Sequence, residues 1–157
     1  MPSRSMSDPE SRLPLCVIAL GGNLGDVRST FERALRLLQN GGFTVRRFAS
    51  PVISAPVGMA PGTPDFLNSV VSGYWADTPH ALLRLCQETE IACGRAADHA
   101  HYVSRTLDLD IILFGDLTLH DPDLVIPHPL ASERDFVLTP LRSIEPALAE
   151  MLFTYKK

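Results

Sequence analysis

The sequence predicts an α+β fold: a ferredoxin-like β-α-β-β-α-β antiparallel sheet with both helices on one face, followed by C-terminal additions. Three observations carry this expectation. The chain has 157 residues, enough for one substantial core and too few for two. Its apolar periodicity alternates between strand-like and helix-like along the chain, with turn residues at the changes. Its composition, 45% hydrophobic and 20% charged, is that of an ordinary globular domain and excludes disordered and collagen-like classes.

Residues 15–20 (LCVIAL) read as a buried strand, ended by the turn-forming run GGNLGD at 21–26, whose glycines permit a tight strand-to-helix turn. Asp26 caps a helix that places Val27, Phe31, Ala34, Leu35 and Leu38 on one face before Asn40, Gly41 and Gly42 stop it. Imperfect alternation over 43–48 gives a second strand. Residues 51–65, with four prolines and two glycines, read as a long loop of the kind that often carries binding groups. A third strand covers 66–75. Thr78 and Pro79 then open a second helix, closed by Gly94, with Leu82, Leu85, Cys86, Thr89 and Cys93 on its buried face. After an irregular stretch at 95–105 comes a fourth strand, 107–114, with Leu107, Leu109, Ile111 and Leu113 on one face, and Gly115 and Asp116 offer a tight turn into 117–119. Residues 121–148 add prolines, a histidine and a short helical stretch, and 151–157 read as a tail. The polar residues 1–13 are expected to form a disordered leader, which leaves 14–157 as a single domain.

The charge balance, 14 basic against 18 acidic residues for a net −4, provides no bulk attraction for nucleic acid or anionic lipid and favours a small-molecule partner. The longest apolar runs fall far short of the roughly 20 residues of a membrane span. Three cysteines, odd in number and without a CxxC pair, support neither a disulfide framework nor a zinc ribbon and suit reduced thiols in a cytoplasm.

The most informative segment is RTLDLDIILF at 105–114. On a strand, Asp108 and Asp110 project from the same face with Cα atoms about 6.5 Å apart. Their apolar neighbours make unpaired charge costly, so a cation is expected there. Mg²⁺ suits the pair, because it takes oxygen ligands and is commonly held by one or two carboxylates together with substrate phosphates. A solvated strand edge or a salt bridge to an arginine is the alternative for two short acids. Arg95, Arg105, Arg134 and His128 lie in segments able to converge near them, and arginines beside Mg²⁺ suit polyphosphate. There is no GxxxxGK[ST] loop or GxGxxG fingerprint, so phosphate binding falls to side chains and metal. Phe66 and Asn68 share a strand face, and Phe136 follows Arg134 by two. Two rings and an amide suit a planar heterocycle, although phenylalanines on strands are also ordinary core residues.

Taken together, ALGGNLGD at 19–26, PDFLNSV at 64–70, GR at 94–95, SRTLDLDIILFGD at 104–116 and IPHP with R-x-F at 126–136 closely resemble the 6-hydroxymethyl-7,8-dihydropterin pyrophosphokinase family of folate biosynthesis, over residues 14–148. The resemblance implies transfer of the β,γ-pyrophosphoryl group of ATP to the pterin hydroxymethyl oxygen, with two Mg²⁺ ions on Asp108 and Asp110. It implies catalytic roles for Arg95, Arg105, Asp108 and Asp110. Nucleotide contacts fall on Gln87, Glu90, Arg95, Tyr102, Arg105, Ile111, His128 and Arg134. Pterin contacts fall on Ser54, Val57, Phe66, Asn68, Asp108 and Phe136, and residues 94–104 are expected to form a closing loop. Ala97 and Pro129 depart from the family pattern, and Tyr102 stands in place of its loop tryptophan. The resemblance further implies a monomeric cytoplasmic enzyme with no nucleic-acid or membrane partner. Two rivals share parts of this pattern: another metal-dependent nucleotidyl or phosphoryl transferase, and a non-catalytic pterin-binding module.

Overall fold

The structure, a computed structural model, describes residues 12–94 and 106–155. Most of the expected leader, the expected closing loop, and Arg95, Tyr102 and Arg105 therefore lie outside the described residues. The element order is β1 (Leu15–Gly22), α1 (Val27–Asn40), β2 (Thr44–Phe48), β3 (Val52–Ser54), β4 (Phe66–Tyr74), α2 (Pro79–Ala92), β5 (Asp108–Phe114), β6 (Leu119–Asp121), β7 (Leu124–Ile126), α3 (Asp135–Ile144) and α4 (Pro146–Thr154).

Local chemistry accounts for the helix starts. The Asp26 carboxylate accepts from the Ser29 N–H at 3.2 Å and the Ser29 hydroxyl at 2.9 Å, and these hydrogen bonds, the backbone one foremost, hold its carboxyl below the usual range. At α2, Thr78 Oγ1 accepts from the Ala81 N–H at 3.1 Å, and Pro79 occupies a first-turn position where no N–H is required.

The main sheet runs β2-β4-β1-β5, with every pairing antiparallel, which is the ferredoxin-like order. The 51–65 segment differs from the expected uninterrupted loop. Its residues Val52–Ser54 form β3, which pairs with residues 66–68 of β4 while β2 pairs with residues 71–74. Pro51 separates β2 from β3 and hides the second strand from a local reading, but the long partner β4 accommodates both in series.

Strand alternation divides the core in two. Cys16, Ile18 and Leu20 face Phe31, Ala34 and Leu38 of α1 and Leu82 and Cys86 of α2, whereas Val17 and Val70 face Val137, Leu138, Leu141 and Ile144 of α3 with Ala149 and Leu152 of α4. α1 and α2 thus cover one face, as expected, and the C-terminal additions cover half of the other. The supposed tail at 151–157 begins inside α4, where Leu152 is 1% exposed. Leu113 also departs from expectation: the β1–β5 register slips between Val17 and Ile18, leaving Ile112 as an extra residue, so that Ile112 and Leu113 both enter the α3–α4 core. Residues 117–119 do not return along β5. Instead β6 pairs with β7 in a separate two-stranded sheet, and His80 Nε2 at the start of α2 lies 3.2 Å from Asp121 and 3.3 Å from Asp123, pinning that hairpin.

Cys16 and Cys86 are buried free thiols, and burial pushes the Cys16 thiol up to about 12 and that of Cys86 higher still, so both stay protonated and pack as small apolar groups. No helix among the described residues is long and apolar enough to cross a membrane.

One partly buried ionic cluster, centred on a buried carboxylate, fastens the second helix pair to the sheet. Glu145, at the α3–α4 junction, accepts from the Ser72 hydroxyl at 2.7 Å and lies 3.0 Å from Arg46 Nε and 4.0 Å from Arg47 Nη1. Arg46 also donates to the Tyr74 hydroxyl oxygen at 2.9 Å, and Arg47 donates to the Ile144 carbonyl at 2.7 Å. The Tyr74 oxygen first, and then the Glu145 charge, hold the Arg46 guanidinium above its ordinary value against the opposing effect of desolvation. Removing one partner of such a pair leaves the other without compensation. Glu145→Ala is expected to lower unfolding stability by about 3 kcal/mol, read from the urea midpoint, with Glu145→Gln less damaging; a loss within the scatter of surface mutants would show that α3 and α4 are held by apolar packing alone.

Candidate active site

The C-terminal helices leave one end of the second sheet face uncovered, and a cavity of about 380 Å³ opens there. Its floor comes from three adjacent strands. Gly21 of β1 pairs with Asp108 of β5 on one side and Asn68 of β4 on the other, and one step along, Ala19 lies between Asp110 and Val70. Strands sit about 4.8 Å apart, so Asp108 and Asn68 face the cavity roughly 10 Å from each other across a residue with no side chain. Gly21 therefore does more than permit a turn. It belongs to β1, and a Cβ at this position would stand 3.5 Å from Asn68 Oδ1. The neighbouring Gly22 is required for close approach, because a Cβ there would meet the Thr106 carbonyl oxygen at 2.6 Å.

Both acids expected to share a strand face line the cavity, with Ile112 on the same side. The β1 register holds one edge of their strand. On the other, the N–H of Leu109, between the two acids, donates to Glu90 Oε2 of α2 at 2.7 Å, and the Ile112 carbonyl at the bulge accepts from the His128 N–H at 3.0 Å. The acids are therefore fixed from β1, α2 and the segment that follows β7.

The opposite end of the cavity is aromatic and amide-lined. Phe66 opens β4, Phe136 stands in the first turn of α3, and Arg134, the residue before α3, places its guanidinium carbon 5.6 Å from the Phe136 ring centroid. Asn68 is 6% exposed, and its Nδ2 donates to Ser54 Oγ at 2.8 Å and to the Val52 carbonyl at 3.3 Å. A carbonyl only accepts, so this fixes the amide orientation and turns Oδ1, an acceptor, toward the floor at Gly21. β3, the strand absent from the sequence reading, thus orients the residue expected to read a heterocycle edge. Ser54 and Val57 line the rim, and Val57 is 82% exposed. The Asn23 amide donates to the Pro64 carbonyl at 3.1 Å and ties the far end of the 51–65 segment to the turn after β1.

The structure thus brings Ser54, Val57, Phe66, Asn68, Asp108, Asp110, Arg134 and Phe136 around one cavity. It places the other described candidates elsewhere. Gln87 is exposed on α2, and Glu90 is buried at the outer edge of β5. Ile111 is 4% exposed, and its side chain lies in the α1–α2 core on the opposite sheet face. His128 does not line the cavity. Its Nδ1 accepts from the Leu130 N–H at 3.2 Å, which in the neutral ring leaves the proton on Nε2. The sequence reading missed the floor residues Ala19 and Gly21 and the bond from Glu90 to Leu109. The first had a visible signal, two small residues at alternate positions of an otherwise bulky strand; the second had none.

Known proteins resemble this chain in sequence and in fold. The profile of the family described as 7,8-dihydro-6-hydroxymethylpterin-pyrophosphokinase (HPPK) matches residues 17–146. A mitochondrial folate synthesis bifunctional protein of Arabidopsis thaliana is 42% identical over 125 residues, 80% of this chain and 22% of that protein. A 2-amino-4-hydroxy-6-hydroxymethyldihydropteridine pyrophosphokinase of Bacillus subtilis (strain 168) is 37% identical over 131 residues, 83% of this chain and 77% of the relative. The chain thus spans only about a quarter of the length of the plant bifunctional relatives it matches, at 22% and 26% for two from Arabidopsis thaliana and 24% for one from Pisum sativum. Among solved structures, an HPPK-DHPS in complex with substrates superposes with a TM-score of 0.62 at 13% identity, covering 85% of this chain and 40% of that one, which establishes likeness of fold. With its profile match spanning most of the described sheet and helices, the chain belongs to the 7,8-dihydro-6-hydroxymethylpterin-pyrophosphokinase family.

Proposed function

We propose that this chain transfers the β,γ-pyrophosphoryl group of ATP to the hydroxymethyl oxygen of 6-hydroxymethyl-7,8-dihydropterin, giving AMP and the pterin diphosphate. One observation carries the reading: the acid pair and the aromatic–amide end face each other across a floor bared by Gly21. A flat bicyclic molecule lying over Gly21, between Phe66 and Phe136, reaches Asn68 at one edge and directs a substituent at the other toward Asp108 and Asp110. Asn68 Oδ1 then accepts from an N–H of the ring, so a heterocycle edge offering donors is selected over one offering acceptors.

The donor set fits Mg²⁺. Two carboxylates facing an open cavity from one strand face supply oxygen ligands and leave further positions for water and phosphate oxygens. Asp108 and Asp110 would hold two such ions, which when bound neutralise triphosphate charge and lower the pKa of a nearby hydroxyl. In the reaction the hydroxymethyl oxygen forms a bond to the β-phosphorus, the bond from that phosphorus to the α,β-bridging oxygen breaks, AMP departs with that oxygen, and the hydroxyl proton passes to solvent. The chain contributes mainly position and charge, as phosphoryl-type transfer requires. Asp108 stands at the junction of the two subsites, Arg134 sits over Phe136 with its guanidinium available to phosphate oxygens, and His128, whose backbone N–H is bonded to the Ile112 carbonyl of the acid strand, is assigned a triphosphate contact. The same reading assigns phosphate contacts to Arg95 and Arg105, nucleotide contacts to Gln87, Glu90, Tyr102 and Ile111, and pterin contacts to Ser54 and Val57. It takes 14–157 as one pyrophosphokinase domain acting as a cytoplasmic monomer.

The deciding experiment follows products from ATP with and without the hydroxymethyl pterin. AMP and a pterin diphosphate are expected only with both substrates and Mg²⁺, with activity abolished by a chelator and restored by added Mg²⁺; ADP, or a nucleotidylated pterin with free pyrophosphate, would identify a different transferase. Asp110→Ala is expected to cut turnover by roughly 10³-fold or more with an unchanged thermal midpoint, and an unaltered rate would remove this carboxylate from the metal site. Filling the floor is a separate test of the acceptor subsite: Gly21→Val should weaken pterin binding, measured by fluorescence titration, at least about 10-fold while nucleotide binding persists, and equal pterin affinity would place the heterocycle somewhere else.

A further inference from the structure

β5 is the edge strand of the main sheet, and its outward N–H at Leu109 lies in the interior. A buried edge N–H requires an acceptor, and a strand held along only one side is free to twist or shift. Here the acceptor is a carboxylate. Glu90, in the last turn of α2, is 9% exposed, and its Oε2 lies 2.7 Å from the Leu109 nitrogen. Most apolar residues on the buried face of α2 pack against the sheet, but Glu90 reaches the strand backbone at the peptide between Asp108 and Asp110. A carboxyl group so far from solvent is costly unless its oxygens are hydrogen-bonded, and the Leu109 N–H supplies one such bond.

We propose that Glu90 is a positioning residue for the acid pair: its bond to the Leu109 N–H fixes the peptide that sets the direction of both Asp108 and Asp110. Two carboxylates on alternate residues of one strand share that central peptide, so a displacement there moves both and changes the site they present to a divalent ion. The β1 register sets the inner side at Gly21, Leu20 and Ala19, and the Glu90 carboxylate sets the outer side at the level of the acids. The inference rests on the proposed reaction and deepens it, because it gives Glu90 a role exerted through the strand and distinct from the nucleotide contact that family resemblance implies.

The test compares full-length Glu90→Ala, Glu90→Gln and wild type through three readings: amide hydrogen exchange at Leu109, Mn²⁺ binding by electron paramagnetic resonance, and the Mg²⁺ concentration for half-maximal AMP formation at saturating ATP and pterin. Glu90→Ala is expected to speed Leu109 exchange and to weaken Mn²⁺ binding and raise the Mg²⁺ requirement by about 10-fold or more. Glu90→Gln, whose side-chain oxygen still accepts from Leu109, is expected to recover most of each loss. Where Glu90→Ala does not fold, Glu90→Asp, one methylene short of Leu109, takes its place with the same expected losses. Unchanged Leu109 exchange, faster exchange with unchanged metal binding, a higher ATP KM as the sole effect, or a Glu90→Gln variant as impaired as the shortened one would each overturn the proposal. Absence of Mg²⁺-dependent AMP formation by wild type would instead defeat the functional reading, while exchange and Mn²⁺ binding still report on Glu90.

Discussion

The antiparallel register of β1 against both of its neighbours is the constraint on which the rest of this molecule depends. It sets Gly21 between Asp108 and Asn68, and Ala19 between Asp110 and Val70. A slip of one residue on either side would turn a whole strand over and send the acids or the amide into the α1–α2 core. Burial enforces the register. Cys16, Ile18 and Leu20 are each no more than 2% exposed on the helix-covered face, so misregistering the strand would move Ile18 and Leu20 out of the core at about 1.5–3 kcal/mol each. The cavity floor is thus held by hydrophobic burial on the opposite side of the sheet.

The C-terminal helices complete what the β-α-β-β-α-β core leaves open. α3 and α4 cover Val17, Val70, Ile112 and Leu113 and leave Ala19 only partly buried at the edge of that core, so the cavity lies where their coverage ends. The first turn of α3 supplies Phe136, and Arg134 precedes it, so docking of the helix also builds one wall of the site. That docking couples apolar packing to the Glu145 cluster, in which the charge at the helix junction meets groups from β2 and β4. Stability and site geometry share these contacts.

The cavity separates two kinds of chemistry by roughly two strand spacings. At one end carboxylates gather positive charge; at the other, rings and an oriented amide take up an apolar, flat body with a hydrogen-bonding edge. A bulky side chain at the midpoint would divide the space, which explains why the central strand narrows to alanine and glycine on this face. The orientation of Asn68 is set by Ser54 at the rim and by the Val52 carbonyl, and the backbone between the acids meets Glu90, so the amide and the acid strand are both held from neighbouring elements.

Short-range information was sufficient for α1 and α2, the four long strands, the Asp26 and Thr78 caps, and the shared face of Asp108 and Asp110, because caps and side-chain alternation act within a few residues. The family motifs were legible for the same reason, each being a compact block. Tertiary structure alone decided the features that depend on pairing across tens of residues. β3 forms because β4 is long enough to pair beyond β2; Ile112 and Leu113 share a core because β5 slips against Val17 and Ile18; Glu90 meets Leu109 because α2 packs along an open strand edge. Local sequence determines which backbone conformation is favourable, whereas the partner of each edge and the side chains bordering a cavity are determined by which distant surfaces can be buried together.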